Sequence, residues 1–97
     1  MTQGQTDVSR GLTLDGNSVA GLLAEVFGRE MTDSPCQCAH CGAVGEVATL
    51  LAFTHAPGVV LRCPRCEQVV LRMVTTADVI YLDGQGAAFI RLRRGVS

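Results

Sequence analysis

Four of the five cysteines in this 97-residue chain fall into two pairs with the same internal spacing. The first pair is Cys38 and Cys41, the second is Cys63 and Cys66, and 21 residues separate them. A Cys-x-x-Cys turn lets two sulfurs reach one ion, and two such turns supply the four thiolates of a tetrahedral site. Pairs at this spacing are typical of a zinc ribbon. The sequence therefore predicts one bound metal ion, zinc, on these four cysteines.

The residues around the two pairs suit such turns to different degrees. Gly42 follows the first pair and supplies the positive φ that the turn favours. Pro64 fixes φ inside the second turn. Glu67 stands where a second glycine is expected, which is a departure from the pattern.

The fifth cysteine and the two histidines are weaker ligand candidates. Cys36 could replace Cys38 through a Cys-x4-Cys spacing, but the tighter pair is favoured. A spare surface thiol is the simpler interpretation of Cys36, and a redox role is the alternative. We expect His40, inside the first turn, and His55, at a hairpin tip, to be solvated, because four thiolates already complete a structural site.

The same cysteines argue against catalysis. Four thiolates leave no open position for water or substrate. The sequence also lacks a supported Ser-His-Asp or Cys-His arrangement, a glycine-rich phosphate loop and paired catalytic carboxylates. We therefore expect a non-catalytic protein, and a structural zinc site in a protein-binding or accessory module is the favoured function.

Iron is the alternative metal, because four thiolates also suit iron, which can cycle between two oxidation states. The segments 38–42 and 63–66, Cys-Ala-His-Cys-Gly and Cys-Pro-Arg-Cys, resemble the paired turns of rubredoxins. This resemblance implies an electron carrier. It is limited to the turns, since rubredoxins are shorter and have an aromatic core, whereas 4% of this chain is aromatic.

Charge is distributed unevenly along the chain. Residues 1–61 carry two arginines and six acids, whereas residues 62–97 carry six arginines and three acids, and the net charge is −1. This balance and the few aromatic residues make nucleic acid a less favoured partner than protein. Arginines at sheet edges also discourage aggregation, which is the simpler interpretation of the C-terminal ones. The candidate partner-binding residues are Arg62, Arg65, Arg91, Arg93 and Arg94.

Periodicity predicts the elements that position the cysteines. Apolar residues recur at helical spacing after Asp15, which predicts an amphipathic helix over about 17–28, with Gly28 as its stop. The later segments are rich in β-formers, and Pro57 and Gly58 suit the centre of a type II turn. The predicted strands are Glu46–Thr54, Val59–Arg62, Gln68–Thr76, Val79–Leu82 and Ala87–Arg93.

The predicted fold is a small α+β domain, with an N-terminal amphipathic helix and a zinc-ribbon antiparallel β meander of about five strands. Residues 1–14 are expected to form a mobile tail and residues 15–97 a single domain. Both faces of strand 68–76 are apolar, and one short helix covers only one of them, which predicts a homodimer unless the sheet curls over itself. The start of the sequence has neither a basic nor an apolar region, so we expect a cytoplasmic protein without membrane contact.

Three segments together resemble a family of short, uncharacterised actinobacterial proteins, a domain of unknown function. They are residues 14–28, Leu-Asp-Gly-Asn-Ser-Val-Ala-Gly-Leu-Leu-Ala-Glu-Val-Phe-Gly; residues 38–42; and residues 56–66, Ala-Pro-Gly-Val-Val-Leu-Arg-Cys-Pro-Arg-Cys. The likeness covers about residues 13–93. It implies a zinc-ribbon-like fold, a cytoplasmic location and a role as an accessory protein to an oxidoreductase.

Overall fold

The structure, a computed structural model, describes residues 13–55 and 58–94. Within these ranges the chain forms a small α+β fold with one short α-helix, α1 (Ala20–Phe27), and two antiparallel sheets. Two 3-10 segments, Gly16–Val19 and Val47–Thr49, connect the elements. The strands are β1 (Thr13–Asp15), β2 (Pro35–Cys38), β3 (Val44–Glu46), β4 (Leu51–His55), β5 (Gly58–Arg62), β6 (Val69–Thr75), β7 (Ile80–Asp83) and β8 (Ala87–Ile90).

The strands do not form the single five-strand meander that the sequence predicts. The larger sheet has the order β1-β4-β5-β6-β7, and the smaller has the order β3-β2-β8. The last predicted strand thus leaves the meander and pairs with β2. Gly86 makes this change of sheet feasible, because a Cβ there would overlap the backbone of Val69. The Gly86 carbonyl then accepts a hydrogen bond of 2.8 Å from the Ala39 N–H.

The predicted helix over 17–28 exists, but its first turn is a 3-10 segment. Asp15 caps this segment by accepting from the Ser18 N–H at 3.2 Å. The α-helix then runs from Ala20 and ends at Gly28, as predicted, where φ is 74° and the glycine N–H donates to the Ala24 carbonyl. A left-handed residue at this position is a common helix stop, and glycine adopts it without steric cost.

The predicted strand over Glu46–Thr54 is interrupted in the structure. Residues up to Glu46 belong to β3, and β4 begins only at Leu51. Between them the N–H groups of Val47 and Ala48 donate to carbonyls of the segment before β2, namely those of Ser34 and Thr32, both at 2.9 Å. These long-range bonds hold Val47–Thr49 in a 3-10 turn, and the Val47 side chain is fully buried.

The core lies between the helix and the larger sheet and continues to the cysteine turns. Its most deeply buried large side chains are Leu23, Met31, Leu61, Leu71 and Met73.

The second apolar face of strand β6 is partly covered in the structure, whereas the prediction left this face without a cover. Val70 is fully buried, so the beginning of this face is covered, whereas Val74 near the end of β6 is half-buried. The sequence-based reason for a homodimer therefore applies to the last part of the strand alone.

Two sequence expectations lie partly or wholly outside the described residues. The tail was expected over 1–14, but Thr13 and Leu14 lie in β1, opposite Phe53 and Ala52 of β4. Residues 1–12 are outside the described ranges. The hairpin turn also differs, because Gly58 already pairs with His55 in the β4–β5 ladder, and residues 56 and 57 are outside the described ranges.

Within residues 13–55 and 58–94, no helix has the length and apolar character that a membrane span requires.

Candidate metal centre

The four predicted ligands lie close together in the structure. The Sγ atoms of Cys38, Cys41, Cys63 and Cys66 are all within 4.8 Å of one another. Cys38 and Cys63 are buried, Cys66 is half-buried and Cys41 is exposed. The cluster therefore sits at the surface, with one ligand from each pair anchored in the core. These four sulfurs could hold one metal ion.

The sulfur–sulfur distances fit a tetrahedral metal site. The Sγ atoms of Cys38 and Cys66 are 3.6 Å apart, and those of Cys41 and Cys63 are 3.7 Å apart. Metal–sulfur bonds of about 2.3 Å in a tetrahedron require sulfurs about 3.8 Å apart. A disulfide would require about 2.05 Å. Both distances join one sulfur of each turn, so the two turns face each other across the space that an ion could occupy.

The first turn is built by hydrogen bonds that close around Cys38. The Cys38 N–H donates to the Ala43 carbonyl at 2.9 Å, and the Gly42 N–H donates to the Cys38 carbonyl at 2.9 Å. The His40 N–H points at the Cys38 Sγ at 3.4 Å. Gly42 has φ of 81°, as its type and position predicted. The turn thus aims one backbone donor at the sulfur that becomes negatively charged.

The second turn repeats this pattern around Cys63. The Cys63 N–H donates to the Gln68 carbonyl at 2.9 Å, and the Glu67 N–H donates to the Cys63 carbonyl at 2.8 Å. The Arg65 N–H points at the Cys63 Sγ at 3.3 Å. Glu67 has φ of 65° and is the one non-glycine residue with positive φ in the described ranges. The turn therefore keeps its shape although glycine is replaced.

Each turn is also braced by the side chain that precedes its first cysteine. Gln37 donates through Nε2 to the Gly42 carbonyl at 3.0 Å, and Arg62 donates through Nη1 to the Glu67 carbonyl at 2.9 Å. The Arg62 guanidinium also lies over the Phe53 ring, 5.5 Å from its centroid. Sequence reasoning missed both braces. Their equal offset from the two cysteine pairs is the signal that could have revealed them.

The electrostatics of the metal-free cluster differ between its sulfurs. At Cys63 burial acts to raise the pKa, but the N–H groups of Cys66 and Arg65 and the neighbouring thiols lower it to about 7. At Cys66 the Gln68 N–H acts to lower the pKa, but burial and the other three thiols raise it to about 12. Four sulfurs this close cannot all be thiolates without a cation, and a divalent ion supplies that charge.

Cys36 is buried rather than on the surface, which corrects the simpler interpretation made from the sequence. It lies on β2 with Cys38 on the same face, and its side chain is 3% exposed. Burial, followed by the charges of Cys38 and Cys63, raises the pKa of Cys36. Cys36 is outside the four-sulfur cluster and packs in the apolar core. His40 is exposed, and the side chain of His55 lies outside what the structure describes.

The candidate partner-binding arginines do not form one surface. Arg62 is used to brace the second turn, and Arg65 is exposed beside it. Arg91 and Arg93 line a separate cleft with a volume of about 650 Å³, together with Arg29. The acids of this cleft are Glu30, Asp33 and Glu46.

The cleft is therefore mixed in charge. Arg29 crosses it and donates to the Arg93 carbonyl at 2.8 Å, and the Arg91 N–H donates to the Pro35 carbonyl at 2.8 Å. These bonds fix the segment that follows β8 against the start of β2. Arg94 is exposed next to this segment.

Comparison with known protein families finds one match. The family described as a family of unknown function, DUF6510, matches residues 7–95, which is most of the chain. Comparisons with curated proteins and with solved structures give no match. On the length of the family match, the chain belongs to the DUF6510 family of unknown function.

Proposed function

We propose that this protein is a non-catalytic zinc-ribbon protein, in which one zinc ion on Cys38, Cys41, Cys63 and Cys66 stabilises a protein-binding or accessory module. The observation that carries the proposal is the geometry of the four sulfurs, with inter-turn distances of 3.6 and 3.7 Å. The d-electrons of zinc impose no coordination geometry, so the ion accepts the tetrahedron that four thiolates form. Five free thiols suit a reducing compartment such as the cytoplasm.

The number and environment of the ligands support a structural role for the ion. Four thiolates saturate a tetrahedral ion, so no position remains for water or substrate. Two of the candidate ligands, Cys38 and Cys63, are buried in the same hydrophobic core as Leu61 and Leu71. The ion thus connects β2 of the smaller sheet to the end of β5 in the larger sheet. A core of this size gains much from such a connection, because small domains bury too little surface to be very stable.

The first experiment is to purify the protein without added metal and to measure its metal content and its visible spectrum. We expect a colourless protein with one zinc ion per chain. Cys38→Ser and Cys63→Ser should lose the metal, whereas Cys36→Ser should retain it, because Cys36 lies outside the cluster. A metal-free protein with oxidised cysteine pairs would overturn the proposal.

Iron in the same site is the second candidate, which would make the protein a rubredoxin-like electron carrier. The exposure of Cys41 favours it, because an electron needs a short path between the ion and a partner. The N–H groups of His40 and Arg65, which point at ligand sulfurs, stabilise the extra negative charge of a reduced iron centre. A red protein with one iron per chain would establish this candidate in place of zinc.

The mixed-charge cleft is where we place the partner. The partner that fits this cleft is an extended protein segment with one acidic and one basic residue. Its acidic residue would face Arg91 and Arg93, and its basic residue would face Glu30 and Asp33. Nucleic acid is less well matched, because its phosphates would meet these carboxylates. An accessory protein to an oxidoreductase is a partner relationship consistent with this proposal.

Charge reversal in the cleft tests the partner assignment. The double variant Arg91→Glu and Arg93→Glu should lose proteins that crosslink to the wild type in cells of the native host, and Arg65→Glu should retain them. Recovery of DNA or RNA that falls steeply with salt would instead support a nucleic-acid-binding zinc ribbon.

A further inference from the structure

Strand β7 forms one edge of the larger sheet in the part of the chain that the structure describes. It is the last strand of the larger sheet, and all four of its residues, Ile80–Asp83, are exposed. Its apolar side chains are unusually accessible for a strand, with Tyr81 62% exposed and Leu82 45% exposed. Val79, next to the strand, is 45% exposed. Natural edge strands are commonly protected by proline, charges or bulges. Strand β7 has no proline, its pairing with β6 has no register shift, and its one charged residue is Asp83 at its end.

The β6–β7 ladder shows which backbone groups of β7 have no strand partner among residues 13–55 and 58–94. The Thr76 N–H donates to the Val79 carbonyl at 2.8 Å, so this pair is directly bonded. Bonded and non-bonded pairs alternate in an antiparallel ladder, and Val74 opposite Tyr81 is therefore the next bonded pair. Consequently the N–H and C=O groups of Ile80 and Leu82 point away from β6 and towards solvent.

These outward groups are self-complementary. Ile80 and Leu82 lie at equal distances on either side of Tyr81, so a second copy that runs antiparallel can place its Leu82 opposite Ile80 and its Ile80 opposite Leu82. Each of these two pairs exchanges two hydrogen bonds, and Tyr81 of the two copies meets on the two-fold axis. We propose that β7 pairs with β7 of a second copy in this register, which joins two five-stranded sheets into one continuous sheet.

The side chains support this register. Tyr81 lies beside Val74 on its own sheet, so the two copies form an apolar row of Val74, Tyr81, Tyr81 and Val74 across the axis. Asp83 lies beside Arg72 of its own β6 and faces Val79 of the second copy. This register therefore places no like charges opposite each other, an arrangement that would destabilise the pair. A shift by one pair would instead place Tyr81 opposite Asp83.

The size of the contact sets the expected strength. One strand from each copy buries less than the ~1,600 Å² of a standard stable interface, so we expect a dissociation constant of about 100 µM. The dimer should therefore be sensitive to protein concentration.

The test uses the full-length, metal-loaded protein in two measurements. Sedimentation velocity from about 10 µM to about 1 mM should show a shift from monomer to dimer. Amide hydrogen exchange at the two ends of this range should show protection of Ile80 and Leu82 that increases with concentration, whereas Tyr81 and Asp83 should be protected throughout. A monomer at the highest concentration, with unprotected amides at Ile80 and Leu82, would overturn the proposal.

Two variants and a control separate edge pairing from other contacts. Leu82→Pro removes an N–H that β6 does not use, and Ile80→Lys adds a charge to the edge, so each should weaken the dimer by at least about tenfold. Phe89→Lys alters an equally exposed apolar residue on β8, at 43% exposure, and should leave the dimer unchanged. A dimer that persists in both edge variants, each shown to be folded by its circular dichroism, would contradict the register.

Discussion

Glu67 occupies the same left-handed backbone position in the second cysteine turn that Gly42 occupies in the first. Their φ angles are 65° and 81°, and each N–H donates to the carbonyl of the first cysteine in its own pair. A side chain at such a position costs about 1 kcal/mol because its Cβ approaches the backbone. The Arg62 side chain, which donates to the Glu67 carbonyl, helps to hold the strained turn in place.

Glu67→Gly should therefore stabilise the protein by up to about 0.5 kcal/mol, because relief of about 1 kcal/mol of backbone strain is partly offset by the entropy that glycine gains in the unfolded chain. The measurement is urea unfolding at a fixed concentration of free metal. Glu67→Ala is the matched control, since it removes the carboxylate but keeps the Cβ, and its stability should stay near that of the wild type. Equal stabilisation by both changes would show that charge, not backbone strain, matters at this position.

Removal of the metal should destabilise the fold strongly. An ion on the four cysteines would connect β2 to the end of β5 through buried Cys38 and Cys63. We expect the midpoint of thermal unfolding to fall by more than about 10 °C when a chelator extracts the metal under reducing conditions. Re-addition of zinc should restore it. An unchanged midpoint in a protein proven metal-free would contradict a structural role for the ion.

The buried thiol of Cys36 should matter for packing and not for metal binding. Cys36→Ser should keep one metal per chain but lower the free energy of unfolding by about 1–2 kcal/mol, because the hydroxyl is placed among apolar neighbours. Metal content and urea unfolding of the same sample separate the two effects. Loss of metal in Cys36→Ser, with metal retained in Cys38→Ser, would indicate the alternative ligand set with the longer spacing.

Arg62 should contribute to the stability of the second turn. Arg62→Ala removes the bond to the Glu67 carbonyl and the contact with the Phe53 ring, which together are worth about 1–2 kcal/mol. We also expect faster transfer of the metal to a chelator, followed by an indicator dye. Arg65→Ala is the control, because the Arg65 side chain is exposed and its N–H, which points at the Cys63 Sγ, remains. Equal transfer rates for the two variants would exclude the brace.

Gly16 and Gly86 should be the two least replaceable glycines among those that the structure describes. A Cβ at Gly86 overlaps the Val69 carbonyl, and a Cβ at Gly16 overlaps the Val47 carbonyl. Either change to alanine should cost more than about 2 kcal/mol, because backbone must move. Gly21→Ala is the contrasting control. Gly21 lies in α1 with no atom within 4 Å of an added Cβ, and alanine should stabilise the helix by about 0.5–1 kcal/mol in urea unfolding.

Local signals predicted the parts of this molecule that depend on residues close in sequence. The Cys-x-x-Cys spacing indicated which four sulfurs lie together, and Gly28 marked the end of the helix. The shape of a turn or helix end depends on a few neighbouring residues, and these are visible in the sequence.

Long-range backbone bonds explain what the sequence did not reveal. The interruption after Glu46 arises because Val47 and Ala48 donate to the segment before β2. The transfer of β8 to the smaller sheet depends on Gly86, where a Cβ would overlap the Val69 backbone. Hydrophobic periodicity within a segment indicates neither the hydrogen bonds of Val47 and Ala48 nor the close approach of Gly86 to Val69. The count of charges along the chain also did not reveal that Arg62 contacts the second cysteine turn, whereas Arg91 lines the separate cleft.

The position of β8 also has a consequence for the order of events during synthesis. All four cysteines of the cluster precede β8 in the chain, yet β8 supplies one of the two neighbours of β2, which carries Cys38. During synthesis, all four cysteines are therefore available before β8 is made and the smaller sheet, which carries Cys38, can be completed. A chain that stops after Asp83 should still capture metal but should expose the unpaired side of β2, detectable as binding of a hydrophobic dye. Metal binding would then precede the pairing of β8 with β2, which would complete the smaller sheet after the metal site has formed.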